Sequence, residues 1–396
     1  TSTYLKKIQK KLSRQKLRGS SSRRLNIFDV DDRYYPQSGV YPTKAIGKLT
    51  FKGSDGLSYH CTASFVSPYH ILGNGHCGVT DEKDADDKVV YRSLSQSWRE
   101  SVKFKPDFSE GFSLKEVSWE HAIFSQSYSR LESDGYGEDW LILKLKEPLG
   151  YEYGWLGIER RTYEDSYPSD SEPVHLIGYS GDKCSSTPCE EDTCALRGVI
   201  NMGSYFQVSH DCDSTKGSSG SGIFTYKNIT VLDEKTGMSE TYLYPYIIAL
   251  HHAEFVVTEA DSEIISYGTY RSNLACETAQ LYDALAWDLA NLESEVEIKY
   301  TDRRIQPPLP ELQGSFDFEG TCGLIYENGN FFDLDAFVNV TAGFVGGIAF
   351  VGAVSVLSKI SCHKKSSEKK KSKKKKEEVE IEIRATNDIG SPLLLG

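Results

Sequence analysis

From about Leu25 to Phe255 the chain is a succession of short apolar or alternating runs: KAIGKLTF (44–51), CTASFV (61–66), WLILKL (140–145), VHLIGY (174–179), GIFTY (222–226) and YPYIIALHH (244–252). Clusters of Gly, Asp, Ser and Pro separate them. Runs of this length, rich in β-branched and aromatic residues and bounded by turn formers, predict strands and an all-β barrel or sandwich. Over 274–292 the period changes. Tyr282, Leu285, Leu289 and Leu292 fall on one face of a helix. Pro307, Pro308 and Pro310 then mark an extended stalk. No internal repeat is visible.

A different pattern begins at Ala336. The 22 residues to Leu357 carry no charge and are rich in Gly, Ala and Val. As a helix they span about 33 Å, against a hydrocarbon core of roughly 30 Å, which predicts a single transmembrane α-helix. Gly343 and Gly347 form a GxxxG face. Lys359, Lys364, Lys365 and the run KKKSKKKK (369–376) follow at once, so the C-terminal tail is expected in the cytosol and everything before the span on the extracellular or lumenal side. The alternative is a helix buried in a core. The resulting division is 1–24, a basic Ser-rich prosegment or arm; 25–293, the catalytic candidate; 294–335, the stalk; 336–358, the transmembrane helix; and 359–396, a Lys-rich tail able to contact anionic lipid.

Charge sharpens this division. The net charge of -12 is unevenly spread: residues 1–24 hold nine basic groups and no acid, and residues 359–396 hold eleven basic and six acidic groups. The intervening body is therefore strongly acidic, which excludes phosphate-backbone binding as its task, so no nucleic-acid partner is expected. Eight of the nine cysteines (61, 77, 184, 189, 194, 212, 276 and 322) precede the span, an even number suited to a disulfide framework in an oxidising compartment. Cys184, Cys189, Cys194, His210 and Cys212 have no usual zinc spacing, and neither metal nor cofactor is expected. Asn228-Ile-Thr230 is a glycosylation sequon, as is Asn339-Val-Thr341 within the span. Cys362 is a juxtamembrane thiol and a palmitoylation candidate.

Three segments carry candidate chemistry. His76 follows an apolar run, in Gly75-His76-Cys77. Asp139 stands at the mouth of an apolar strand, in Glu138-Asp139-Trp140-Leu141. Ser219 lies in the loop Gly217-Ser218-Ser219-Gly220-Ser221-Gly222, which enters the strand at Ile223. Acyl transfer needs a nucleophile, a base for its proton, an acid to orient that base, and donors for the oxyanion. Ser219, His76 and Asp139 supply the first three by type, and the N–H groups of Gly217 and Ser219 are candidates for the fourth. The order His, Asp, Ser in a many-stranded β chain is much more specific than any one of these segments.

With those motifs in place, residues 27–292 resemble the trypsin/chymotrypsin-fold serine proteases, most closely the glutamyl-endopeptidase-like branch. CTASFVSPYHILGNGHC (61–77) resembles the segment in which a disulfide brackets the catalytic His, which implies His76 as base and a Cys61–Cys77 bridge. EDWLILKL resembles the family's Asp strand, and GSSGSGIF its nucleophile loop. DVDDRYYP (29–36) and HLIGYSGDK (175–183) also look like this branch. The resemblance implies a double antiparallel β-barrel with a C-terminal helix, acting on protein or peptide substrates. The chain departs from the pattern at three places: Gly73-Asn74-Gly75 precede the His; Gly222 stands where a Pro is usual; and position 218 is Ser. An Asp at 218 would receive a newly freed N-terminus, so this chain is expected to lack that ion-pair switch.

Specificity has two candidate readings. Asp213 lies six residues before Ser219, where trypsins keep the acid that receives Lys or Arg. His251, in IIALHHAEF, resembles the His that receives a Glu carboxylate in the glutamyl branch. Lys216, beside Gly217, is a third candidate substrate-binding residue. The expected function is a membrane-tethered serine endopeptidase; the alternative is a catalytically inactive homologue serving as a membrane-anchored binding module.

Overall fold

The computed structural model describes residues 27–326 except 29, 84–85, 87–88, 129–136, 163–171, 202–205, 233–236, 258–269, 293–305 and 313–317. Contacts divide the chain into two units, 1–330 with 382–396 and 331–381, and every described residue belongs to the first.

Each apolar run named above lies in a strand. The first set comprises β1 (Ile46–Lys52), β2 (Ser58–Phe65), β3 (His70–Gly73), the hairpin β4 (Val79–Lys83) and β5 (Val89–Leu94), then β6 (Lys103–Pro106), β7 (Trp119–Ser125) and β8 (Leu141–Leu145). A short β9 (Gly157–Ile158) leads to the second set: β10 (Glu172–Gly178), β11 (Cys189–Asn201), β12 (Phe206–His210), β13 (Gly222–Leu232), β14 (Ser239–Val257) and β15 (Tyr270–Cys276). A final β16 (Cys322–Tyr326) follows.

Pairing closes each set on itself. In the first, the antiparallel order is β7-β8-β3-β2-β1-β6. Phe104 on β6 then exchanges backbone hydrogen bonds of 3.0 and 2.9 Å with Val117, two residues ahead of β7. In the second, the order β13-β10-β11-β12-β15-β14 is completed by the long ladder of β13 against β14, from Gly222↔Leu250 to Leu232↔Ser239. The fold is mostly β, as expected: the second set is a closed antiparallel ring, and the first closes only through the Phe104–Val117 bridge, the rest of the outer edge of β7 being paired with β16. Each ring directs one face of every strand inward. Phe65, Phe104, Trp98 and Phe124 fill the first barrel, with Phe65 and Phe104 meeting edge-on at 5.2 Å between centroids. Burying one such ring contributes about 1.5–3 kcal/mol.

The helix expected near 274–292 is α1, Ala279–Leu292. Leu285, Leu289 and Leu292 are buried as its period predicts, together with Leu281 and Asp288, whereas Tyr282 is only half-buried. Asp288 packs on the first barrel, on the face of β3 and β7 opposite Phe65 and Ile71, where it accepts from His70 Nε2 (2.7 Å) and His121 Nε2 (3.0 Å).

Two findings revise the sequence reading. Part of the segment read as a stalk is packed on the first barrel. Trp155 donates its backbone N–H to Gln306 Oε1 (2.9 Å) and its indole N–H to the Pro307 carbonyl (3.0 Å), and β16 lies antiparallel to β7 from Cys322↔Ser125 to Tyr326↔His121. Of the eight cysteines assigned to a framework, six are bridged: Cys61–Cys77, Cys184–Cys189 and Cys194–Cys212. Cys276 and Cys322 are buried thiols, and Cys276, at the end of β15, has its Sγ 3.7 Å from the Asp139 carbonyl. The expected membrane span, 336–358, lies outside the described residues, as do residues 1–26 and the basic tail. Among the described residues no helix is long and apolar enough to cross a membrane.

Candidate active site

His76 sits in a one-turn 3-10 segment, Gly75–Cys77, at the end of β3. The Cys61–Cys77 bridge fastens that turn to β2. Space at Gly75 is tight, because a Cβ would lie 3.1 Å from Asp139 Oδ1 and 3.3 Å from the Trp140 carbonyl. The Gly73-Asn74-Gly75 departure thus has a local reason. Asn74 adds a hydrogen bond of 2.7 Å from its Nδ2 to the Asp139 carbonyl.

Asp139 precedes β8 and is 2% exposed. Its Oδ1 accepts from the His76 backbone N–H (2.7 Å) and its Oδ2 from His76 Nδ1 (2.6 Å). His252 Nδ1, on β14 of the second barrel, is 3.5 Å from the same Oδ2. Burial alone would raise the carboxyl's pKa, but His76 and His252 together hold it well below the usual carboxylate range. An ionised Asp139 fixes the proton of His76 on Nδ1. His76 Nε2 is then a lone-pair nitrogen, and it is buried without a hydrogen-bond partner.

The loop carrying Ser219 is pressed onto the first barrel at the same place. Thr62, next to Cys61 on β2, donates its N–H to the Ser219 carbonyl (2.8 Å) and its hydroxyl to the Gly217 carbonyl (2.9 Å). Gly220 has φ +86°, and a Cβ there would lie 2.2 Å from the Thr62 carbonyl, 3.0 Å from Gly73 Cα and 3.1 Å from Asn74 N. The residue after Ser219 is therefore in contact with the turn that ends in His76. Gly217 has φ +99°, and a Cβ would lie 2.4 Å from His60 Nε2 and 2.5 Å from the Tyr179 carbonyl. In this loop the N–H groups of Ser218, Gly220 and Ser221 go to the carbonyls of Thr215, His251 and Ser218, while no backbone carbonyl takes that of Gly217. Ser218 bonds Ser180 through its hydroxyl (2.5 Å), a neutral contact at the position where an Asp would have received an amino terminus.

The specificity candidates separate. Asp213 is 1% exposed, and its Oδ1 accepts from the Phe28 backbone N–H (2.6 Å). Lys216 is exposed, and its carbonyl accepts from Gly181 N–H (2.6 Å). His251 is fully buried, and its backbone pairs with the nucleophile loop at both Gly220 and Ser221. Its Nδ1 is 3.1 Å from His210 Nε2, and His210 Nδ1 in turn accepts from the Cys212 N–H (3.2 Å). With Nδ1 taken by that donor, a neutral His210 carries its proton on Nε2, and the Leu274 carbonyl also lies within hydrogen-bonding reach of both rings. His251 Nε2 is buried with no hydrogen-bond partner among the described residues. Burial and the neighbouring rings push both histidines down, His210 to about 3, so both are neutral. Asn228 is exposed on β13, as a glycosylation acceptor must be.

His252 and His210 are site residues that sequence reasoning did not single out. The doublet His251-His252 was the available signal, since alternation on a strand aims the two rings at different neighbours.

No family model and no curated protein sequence matches the chain. Among solved structures it is similar to a Glu endopeptidase in complex with MPD (18% identity, TM-score 0.41, 68% of this chain and all of that one). It is also similar to the protease Anisep from Arthrobacter nicotinovorans (15%, 0.36, 61% and 92%) and to HL collagenase (13%, 0.37, 68% and 100%). At such identities and TM-scores they add no weight to the roles of individual residues, which rest on the geometry above.

Proposed function

We propose that the chain is a serine endopeptidase tethered to a membrane by its C-terminal span. The observation that carries the reading is the His76–Asp139 pair: a buried, ionised carboxylate holding an imidazole by Nδ1, with Nε2 left as a lone pair beside the loop of Ser219. In this reading Ser219 Oγ attacks the scissile carbonyl while its proton passes to His76 Nε2. Asp139 stabilises the imidazolium that forms. The tetrahedral oxyanion takes hydrogen bonds from the N–H groups of Gly217 and Ser219. His76 then returns the proton to the leaving amine, and water hydrolyses the acyl-enzyme by the same steps. The test is labelling by a fluorophosphonate probe, with the modified peptide mapped. Label on Ser219 that is lost in Ser219→Ala supports the assignment; absence of label on the folded protein removes it.

The reading extends to substrate preference. His251 is buried behind the nucleophile loop with an Nε2 that has no hydrogen-bond partner among the described residues, and in the tautomer that protonates Nε2 it is a donor suited to a substrate Glu side chain. Asp213 is buried beside Asp32 and Glu191, with one oxygen taken by the Phe28 N–H, and is not the group we assign to the substrate side chain. Cleavage after Glu is the preference we assign. The membrane tether rests on the uncharged run 336–357 and the Lys-rich run after it. It places the protease domain outside the cytosol and the tail inside. Carbonate extraction of the full-length protein tests it: release from the membrane pellet at high pH overturns the tether without touching the protease assignment.

A further inference from the structure

Away from the His76 cleft, three carboxylates converge where the N-terminal segment lies on the second barrel. Asp32 comes from that segment, Glu191 from β11, and Asp213 from the irregular stretch between β12 and the nucleophile loop. One oxygen of each lies within 4.8 Å of the other two. Glu191 is 5% and Asp213 1% exposed, while Asp32 faces solvent.

Each carboxylate is oriented by a donor on one of its oxygens. Asp32 Oδ2 accepts from Thr193 Oγ1 (2.6 Å), Glu191 Oε2 from the Asp213 N–H, and Asp213 Oδ1 from the Phe28 N–H. Asp213 Oδ2 is buried and accepts nothing. An orphaned carboxylate oxygen with two more carboxylates at its side is costly to bury and calls for positive charge. The neighbouring guanidinium of Arg33 does not meet that need, being engaged by Asp31 (2.9 Å) and Asp182 (2.6 Å).

We propose that Asp32, Glu191 and Asp213 bind a divalent cation of the calcium type, clamping the N-terminal segment to the second barrel. The donor set is all oxygen and anionic, which suits a hard cation. Ligand oxygens at about 2.3–2.6 Å from calcium stand up to about 5 Å apart, whereas magnesium at about 2.1 Å demands a tighter octahedron. Asp32 leaves the site open on its solvent side for entry and for water ligands. The ion would bridge Asp32 to Asp213, six residues before Ser219. The site is separate from the protease reading and stands or falls independently of it.

The experiment is a calorimetric titration of calcium into chelator-treated full-length protein, alongside thermal unfolding with calcium and with chelator. The expected result is one saturable site on the wild type, a melting temperature raised by calcium, and affinity reduced at least tenfold in Asp32→Asn and in Glu191→Gln. Asp32 is exposed, so Asp32→Asn keeps the fold and carries the test even where Glu191→Gln does not. Two results overturn the proposal: no saturable binding to the wild type, or an affinity for calcium in Asp32→Asn equal to that of the wild type.

Discussion

His252 Nδ1, on the second barrel, lies 3.5 Å from Oδ2 of Asp139 at the head of β8 on the first. The carboxylate that orients His76 is therefore held by donors from both barrels, and its charge is kept by both. Asp139→Asn exchanges an acceptor-only group for an amide, which no longer fixes the His76 proton on Nδ1. The expected outcome is a fall in kcat of about 10⁴-fold with substrate binding largely retained. Steady-state kinetics on a peptide substrate checks this; kcat within tenfold of wild type would count against the assigned role.

Ser219→Ala removes the nucleophile and nothing else. Hydrolysis is expected to drop by about 10⁴-fold or more, with the unfolding transition unmoved. Undiminished turnover in this variant would remove the mechanism.

His251→Leu should separate specificity from chemistry. Replacing the donor by an apolar group of similar bulk is expected to lower kcat/KM for cleavage after Glu by about 10²-fold or more, with a smaller loss after uncharged residues. Fluorophosphonate labelling of Ser219 should persist. Equal losses on all substrates would leave His251 a packing residue.

Stability should fall in acid through buried neutral histidines. Burial pushes His60 down to about 4, although its Nε2 donates to the Tyr179 carbonyl at 2.9 Å. An unfolded His takes up its proton near pH 6.5. The unfolded chain therefore binds more protons as pH drops, so the His60 contribution is complete above about 6.5 and is lost as pH falls toward about 4. Thermal unfolding from pH 7 to 4 should show the decline, with a shallower slope in His60→Gln. An identical slope in that variant would assign the acid sensitivity elsewhere.

Opening the Cys61–Cys77 bridge, in the double variant Cys61→Ala and Cys77→Ala, releases a loop whose ends are 16 residues apart. The expected loss is about 3 kcal/mol. Denaturant unfolding measures it, and a loss under 1 kcal/mol would show that the turn holds His76 without the bridge.

The sequence made the strands legible because each is a dense apolar run that either barrel buries whatever its register. WLILKL and YPYIIALHH needed no knowledge of their neighbours. It made His76 and Ser219 legible because glycines flank them, and Asp139 because it heads an apolar strand; the structure explains the glycines by contact: Gly75 against Asp139, Gly217 against His60 and Tyr179, Gly220 against Thr62. Pairings between distant segments were not legible. CGLIY (322–326) has the composition of a strand, but only the position of β7 decides that it becomes one. Asp213 was correctly counted six residues ahead of Ser219. The count cannot say that its carboxylate turns toward Phe28, since that depends on where the N-terminal segment is laid. Asp288 did leave a signal: an acid on the buried face of α1 announces a partner, here His70 and His121.

The addition of β16 bears on how the chain responds to being cut. A strand whose neighbour is removed shows a row of bare N–H and C=O groups, a template for pairing with another chain. A recombinant protein ended at 293 would uncover that row on β7 and is expected to self-associate, whereas one ended after 326 keeps it covered. A single nick between 293 and 305 breaks the chain but not the sheet, because Gln306, Pro307 and β16 stay bonded to the first barrel. Such a nick would leave two fragments migrating as one particle until denaturant parts them.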